Sequence, residues 1–216
     1  MNKMRFLQLS AFSDFSMVQA VPGNEELKTE FVRKSIHFLI ALSPSMAAIN
    51  RPFTVLILMI GTLGYTFMEY LRFSGIKVPV ISSLTNMASR SRDMGRFVLG
   101  PVTLGLGALL ALLLYPSPIA AISIYALAFG DGFASLVGKF FGRFRPAFLN
   151  GKSIEGSLAC FLAVLISAYV VSGSMHIAMI AAITAMVVEA LPLEDYDNLA
   201  LPVSVGFVVQ FSSVYL

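Results

Sequence analysis

Apolar residues in this chain come in long runs separated by short polar breaks. Seven runs stand out, at about 35–49, 53–71, 97–115, 118–138, 154–172, 175–191 and 200–216. A helix needs roughly 20 residues to cross the hydrocarbon core of a bilayer. The pattern predicts an all-α, polytopic membrane bundle of about seven transmembrane helices. Asn24 followed by Glu25 and Glu26 predicts a helix start near residue 24 that runs into the first span. Residues 1–23 read as an interfacial segment: Lys3 and Arg5 precede an apolar stretch broken by Gln8, Ser10 and Asp14. Val18-Gln19-Ala20 leaves processing open. Residues 24–216 then form one transmembrane domain. The loop 72–96 is the longest insertion and has room for a short helix. No repeat period and no low-complexity tract is visible.

Composition supports the membrane reading. Of 216 residues, 57% are apolar and 12% charged, too few charges for a water-soluble surface of this size. Cys160 is the single cysteine, so neither an internal disulfide nor a cysteine metal site exists. His37 and His176 have no metal-ligand spacing. Basic residues alternate by loop. Lys28, Arg33 and Lys34 precede the first span, and Arg72, Lys77, Arg90, Arg92 and Arg96 lie between the second and third. Lys139, Arg143, Arg145 and Lys152 lie between the fourth and fifth, while the intervening loops carry only Arg51. The positive-inside rule therefore predicts a cytoplasmic N-terminus and an external C-terminus.

The ionisable residues inside or flanking the spans then fall at one face. His37, Glu69, Asp131, Glu155 and Glu189 all lie toward the predicted cytoplasmic side. Terminal acids can snorkel, but Asp131 is short and deep, and intramembrane acids mark function by default. Taken as an isolated carboxylate in lipid, it predicts that Asp131→Asn holds or raises stability. Asp131 precedes Lys139 by eight residues, roughly 12 Å of helix. Asp131, Ser135, Gly138 and Gly142 form one small, polar helical stripe. Gly138 and Gly142 alone would read as a helix-packing face; Asp131 on the same stripe favours a site. Spans one, three, five and seven start at this face, and such helix N-termini suit phosphate. Arg33-Lys34, Arg96 and Lys152-Ser153 add positive or polar groups there. "NGKS" at 150–153 is not a Walker A loop, because Pro146 stands where its first glycine belongs and no strand precedes it. Acids for Mg²⁺ beside bases for phosphate are what a nucleotide triphosphate or a phospholipid headgroup requires.

Four blocks in order resemble the CTP-dependent membrane lipid kinases: dolichol kinase, phytol kinase and the yeast-type diacylglycerol kinase, a family grouped with membrane cytidylyltransferases. They are "ELKTEFVRKSIHF", with Glu30, Arg33, Lys34 and His37; "GDGFASLVGKFFGR", with Gly130, Asp131, Ala134, Ser135, Gly138, Lys139 and Gly142; "NGKSIEGSLACF", with Lys152, Ser153, Gly156 and Ser157; and "VEALPLEDYDNLALP", with Glu189, Asp197, Asn198 and Pro202. The resemblance spans about Glu30 to Pro202. It departs from the pattern at Tyr196, where the family often has a second acid.

The resemblance implies transfer of the γ-phosphoryl group of CTP to the hydroxyl of a membrane lipid alcohol: a polyprenol, a phytol-like alcohol or diacylglycerol. It implies Mg²⁺ on Asp131, Asp197 and Asn198, and phosphate contacts from Arg33, Lys34, Lys139 and Lys152. Glu155 and Glu189 would join Asp131 as catalytic acids by orienting the bases. Gly130, Gly132, Ser135, Gly138, Gly142 and Ser153 would line the nucleotide. His37 would contact a phosphate or the base, with a plain interfacial histidine as the alternative. The implied location is the cell's inner membrane with the site facing the cytoplasm. No nucleic-acid partner is expected, and the oligomeric state stays open, a homodimer included. The rival readings are a cytidylyltransferase making CDP-diacylglycerol, whose long C-terminal signature is missing here, and a transporter, which would place polarity at the midplane.

Overall fold

The computed structural model describes residues 24–76, 78–79 and 95–214. The expected interfacial segment 1–23 and most of the 72–96 insertion lie outside the described residues. Among the described residues the protein is all-helical. Helix α1 (Asn24–Leu39) passes through a 3₁₀ turn (Ile40–Leu42) into α2 (Ser43–Phe73). After them come α3 (Gly100–Leu114), α4 (Ser117–Tyr125), a π-turn (Ala126–Asp131) and α5 (Gly132–Phe140). Helices α6 (Ile154–Ser172), α7 (Met175–Ala190) and α8 (Asp197–Val214) complete the bundle. The stretches 27–73, 117–140 and 154–172 are long and apolar enough to cross a membrane; Gly100–Leu114 and Met175–Ala190 are apolar but shorter.

The first two expected runs are joined without a loop. Asn50 alone leaves helical geometry, at φ −151°, ψ 94°. Its Oδ1 accepts the Phe53 N–H at 3.0 Å, which caps the second half of α2, and Pro52 follows where no helical N–H is needed. From there α2 runs antiparallel to α3. Arg51 donates to the Tyr115 carbonyl at 2.9 Å and to that of Leu112, capping the end of α3. At the other end the buried Glu69 binds Arg72 at 2.6 and 2.7 Å and accepts the Val98 N–H at 2.8 Å, just ahead of α3. Glu69 is thus a staple between two helix ends.

Alanine lines the centre of the bundle. Ala108, Ala111, Ala168, Ala178, Ala181, Ala182 and Ala185 are fully buried. Without a hydrophobic driving force between helices in lipid, small side chains let backbones approach and pack. Helices α6 and α7 pair along their length, α8 lies against α7 and α3, and the α4–α5 rod rests on α6. Helix α1 lies antiparallel to α5, with Phe38 against Gly132 and Glu30 beside Lys139. The start of α1 and the end of α5 consequently meet the starts of α6 and α8 and the end of α7.

Candidate active site

Between those helix ends lies a cavity of about 480 Å³. Asp131, Ser135, Gly138 and Lys139 line it from the α4–α5 rod. Arg145, Asn150, Gly151, Lys152 and Ser153 come from the following loop, Glu189 from the end of α7, and Glu194 and Asp197 from the approach to α8.

The loop's shape follows from "LNGKS". Asn150 and Gly151 both take positive φ, at 48° and 87°, a conformation that glycine adopts freely and asparagine tolerates. The reversal brings Lys152 over the cavity and sets Ser153 as the N-cap of α6, where its Oγ accepts the Gly156 N–H at 3.0 Å. Arg145 clamps the loop by donating to the Gly138 carbonyl at 2.5 Å and to that of Gly151. Lys152 donates to the Glu189 carbonyl and stands 3.3 Å from its carboxylate, which also accepts from Ser157 at 3.3 Å.

Two buried acids anchor α1 to the α4–α5 rod. Asp131 Oδ2 accepts from Lys34 Nζ, and His37 Nδ1 stands 3.1 Å from the same oxygen. All three side chains are almost fully buried. Oδ1 is therefore the oxygen left for the cavity. One turn earlier on α1, the fully buried Glu30 accepts from Arg33, from Ser135 and from Lys139, the last at 2.7 Å. The π-turn ends on Asp131. Its wider winding sets the phase of the helix at this acid, and such turns gather at functional sites.

These contacts rearrange the expected roles. Each of the four bases assigned to phosphate is engaged by an acid, Lys34 by Asp131, Arg33 and Lys139 by Glu30, and Lys152 by Glu189; of the four, Lys139 and Lys152 line the cavity. Glu155 does not face the cavity; it accepts the N–H groups of Arg143 at 2.9 Å and Phe144 at 3.1 Å and so fixes the turn that leaves α5. Asn198 is not among the cavity-lining residues, and its Oδ1 is buried without a hydrogen-bond partner among the described residues. Its Nδ2 donates to Thr103 at 2.9 Å and to the Gly100 carbonyl at 3.3 Å, tying α8 to α3. Three glycines pack rather than line. A Cβ on Gly130 would meet Val164 at 2.9 Å, one on Gly132 would meet the Phe38 ring at 2.6 Å, and one on Gly142 would meet Ser153 Cβ at 2.7 Å. Gly156 on α6 does both: a Cβ there would meet the Ala134 carbonyl at 2.7 Å, and the residue also lines the cavity. Gly138, Ser135 and Ser153 do reach the cavity. Residues not anticipated for the site emerge: Arg145, Asn150, Gly151 and Glu194 in the cavity wall, and Glu30 behind Lys139. For Glu30 a signal existed: Glu30, Arg33, Lys34 and His37 form an i, i+3, i+4, i+7 stripe on one helix.

A magnesium ion fits this donor set in one manner. No three carboxylates among the described residues form a ready-made cage. Mg²⁺ at nucleotides is held by one or two carboxylates plus phosphate oxygens, and Asp131 and Asp197 both line the cavity. Asp197 sits at the first residue of α8, ahead of its apolar stretch. Burial, and then the charge of Asp131, push its carboxyl up to about 6. A bound cation would offset both the burial and the neighbouring charge.

Over 140 residues the chain is 30% identical to a protein of Triticum aestivum named as a probable chloroplastic phytol kinase, covering 56% of this chain and 47% of that protein. Over 68 residues it is 34% identical to a protein of Schizosaccharomyces pombe named as CTP-dependent diacylglycerol kinase 1, covering 32% of this chain and 31% of that one. The chain is related to these lipid kinases. It spans about half the length of the plant relatives. Over 183 residues it is also 25% identical to an uncharacterised protein of Methanocaldococcus jannaschii, covering 83% of this chain and 92% of that protein. No protein-family model and no solved structure matches the chain.

Proposed function

We propose that this chain is a CTP-dependent kinase that transfers the γ-phosphoryl group to the hydroxyl of a membrane lipid alcohol, at the cytoplasmic face of a cell membrane. One observation carries the reading. A single cavity gathers Lys139, Arg145 and Lys152 with Asp131 and Asp197, cationic clamps beside carboxylates, at the end of an apolar helical bundle. Phosphoryl transfer asks a protein mainly for positioning and charge neutralisation. The relatives named as CTP-dependent kinases support the choice of nucleotide.

In this mechanism Lys139 and Lys152 hold the phosphate chain, and the turn at Asn150-Gly151, kept open by Arg145, shapes the floor beneath it. Asp131 and Asp197 would hold Mg²⁺, which when bound neutralises phosphate charge. Lys34 donates to one oxygen of Asp131, beside which His37 Nδ1 stands at 3.1 Å, so the carboxylate is fixed to orient the incoming hydroxyl, whose proton passes to a phosphate oxygen of the nucleotide. The hydroxyl oxygen bonds to the γ-phosphorus as the bond to the bridging oxygen breaks, and CDP leaves.

The test is product analysis with purified protein, CTP labelled at the γ-position and a panel of phytol, polyprenol and diacylglycerol. The expected outcome is labelled phospholipid and CDP. Release of pyrophosphate with a CDP-lipid would overturn the kinase reading in favour of cytidylyl transfer.

A further inference from the structure

The polar cavity has an apolar counterpart on the flank of the bundle. A groove of about 620 Å³ lies between α1, the α4–α5 rod and α6, walled by Phe38, Tyr125, Phe129, Phe133, Ile166 and Val170. Its rings pack in series: Phe38 and Phe133 lie 5.2 Å apart between centroids, and Tyr125 and Phe129 5.5 Å. The one serine in it, Ser167, donates to the Val164 carbonyl at 3.2 Å, so apart from the Tyr125 hydroxyl the wall offers a guest hydrocarbon.

Its position relates it to the acid cluster. Phe38 follows His37, and Phe129 and Phe133 stand two residues on either side of Asp131. Two residues are about 200° around a helix. The same two stretches of backbone therefore present the charged cluster in one direction and the groove in another. Between them the Phe38 ring rests on bare Gly132 backbone, where any Cβ would meet it at 2.6 Å. From the level of Asp131 the groove follows α6 from Ala163 to Val170, roughly 10 Å along the helix, away from the cavity end. Ile166 and Val170 are 64% and 77% exposed, so it opens sideways to lipid. A second apolar hollow, between Tyr115, Val203, Phe207 and Phe211, lies at the far end of the bundle and shares no element with the acid cluster.

We propose that this groove receives the hydrocarbon chain of the acceptor alcohol directly from the bilayer, with the hydroxyl passing the Phe38–Gly132 contact to reach Asp131. The proposal rests on the lipid-kinase reading. It goes further by naming the entry side and the residues that bind the chain.

Photolabelling tests it independently of turnover. The full chain in liposomes is irradiated with phytol carrying a diazirine on its tail, and labelled peptides are mapped for the parent, Ala163→Phe and Val170→Trp. The first substitution fills the groove from inside; the second changes an exposed lip and leaves the fold intact. The expected result is labelling concentrated on residues 125–133 and 163–170, competed by unlabelled phytol and reduced several-fold in both variants. The KM for phytol should rise about tenfold with the KM for CTP unchanged. Labelling spread over the outer face of α2 and unaltered in the variants would overturn the groove even if phosphoryl transfer is demonstrated. If no alcohol is phosphorylated, the kinase reading falls, and the labelling map still decides whether the groove binds the chain.

Discussion

Glu30 and Lys139 lie 109 residues apart in sequence and 2.7 Å apart in space. Glu30 is fully buried, and it also holds Arg33 and Ser135. Removing Glu30 takes the acceptor from Arg33, Ser135 and the partly exposed Lys139 together, a loss of about 1–3 kcal/mol. Glu30→Ala is expected to lower the melting midpoint in detergent and to raise the KM for CTP, because Lys139 loses its fixed position. Glu30→Gln keeps an acceptor and should recover part of the stability with less of the affinity. Thermal melts and initial rates on the same samples check this; unchanged nucleotide affinity in Glu30→Ala would leave Glu30 a packing residue only.

Asp131→Asn is expected to lower turnover by roughly 10²–10⁴-fold. Its effect on stability has the opposite sign to that expected of an isolated acid in lipid. Lys34, fully buried, pairs with Asp131, so the amide leaves a buried ammonium without its counter-ion and stability falls by about 3 kcal/mol. Adding Lys34→Met should restore the melting midpoint and leave activity low. A double variant no more stable than Asp131→Asn would sink the pairing argument.

Glu155→Gln should keep activity within several-fold of the parent, because the side chain fixes the backbone of Arg143 and Phe144 and does not touch the cavity. A loss as deep as that of Asp131→Asn would return Glu155 to the catalytic set.

Loop charges, with helix ends that alternate between two faces, predict a membrane topology that cysteine labelling can test. Ser117→Cys is expected to react with an impermeant maleimide from outside intact cells, and Asn150→Cys only after the inner face is opened. Reaction of Ser117→Cys from the cytoplasm alone would invert the arrangement and detach the cavity from cytoplasmic CTP.

The apolar runs were legible because length and hydropathy are local properties, and every expected run carries helix among the described residues. Asp131 was legible because a short acid deep in an apolar run is costly anywhere. What was hidden is pairwise. That Lys34 faces Asp131, 97 residues away, depends on how α1 lies on the α4–α5 rod, and no periodicity in either segment records it. Asn198 and Glu155 read as site residues because they sit inside motif blocks. In the structure the Asn198 amide nitrogen and the Glu155 carboxylate hold neighbouring helix ends, through a Thr103 hydroxyl and two backbone N–H groups. The small-residue stripe likewise carries two purposes at once: Gly142 is needed for close approach to Ser153, while Gly138 borders the cavity.

The π-turn at Ala126–Asp131 makes the reading frame of this helix matter. A π-turn is an α-helix carrying one surplus residue in its winding. Deleting any single residue between Ala126 and Gly130 would let the helix heal into regular geometry, keep its composition and still cross the membrane. The surplus residue is absorbed in the wide turn, so its loss would leave the flanking segments in their relative phase, with Asp131 still facing Lys34 and Tyr125 still in the groove wall. The same deletion in the regular helix that follows, Gly132–Phe140, has no surplus winding to absorb it and would turn Lys139 by about 100° away from Glu30. One codon is therefore spare in the π-turn and none in the helix after it.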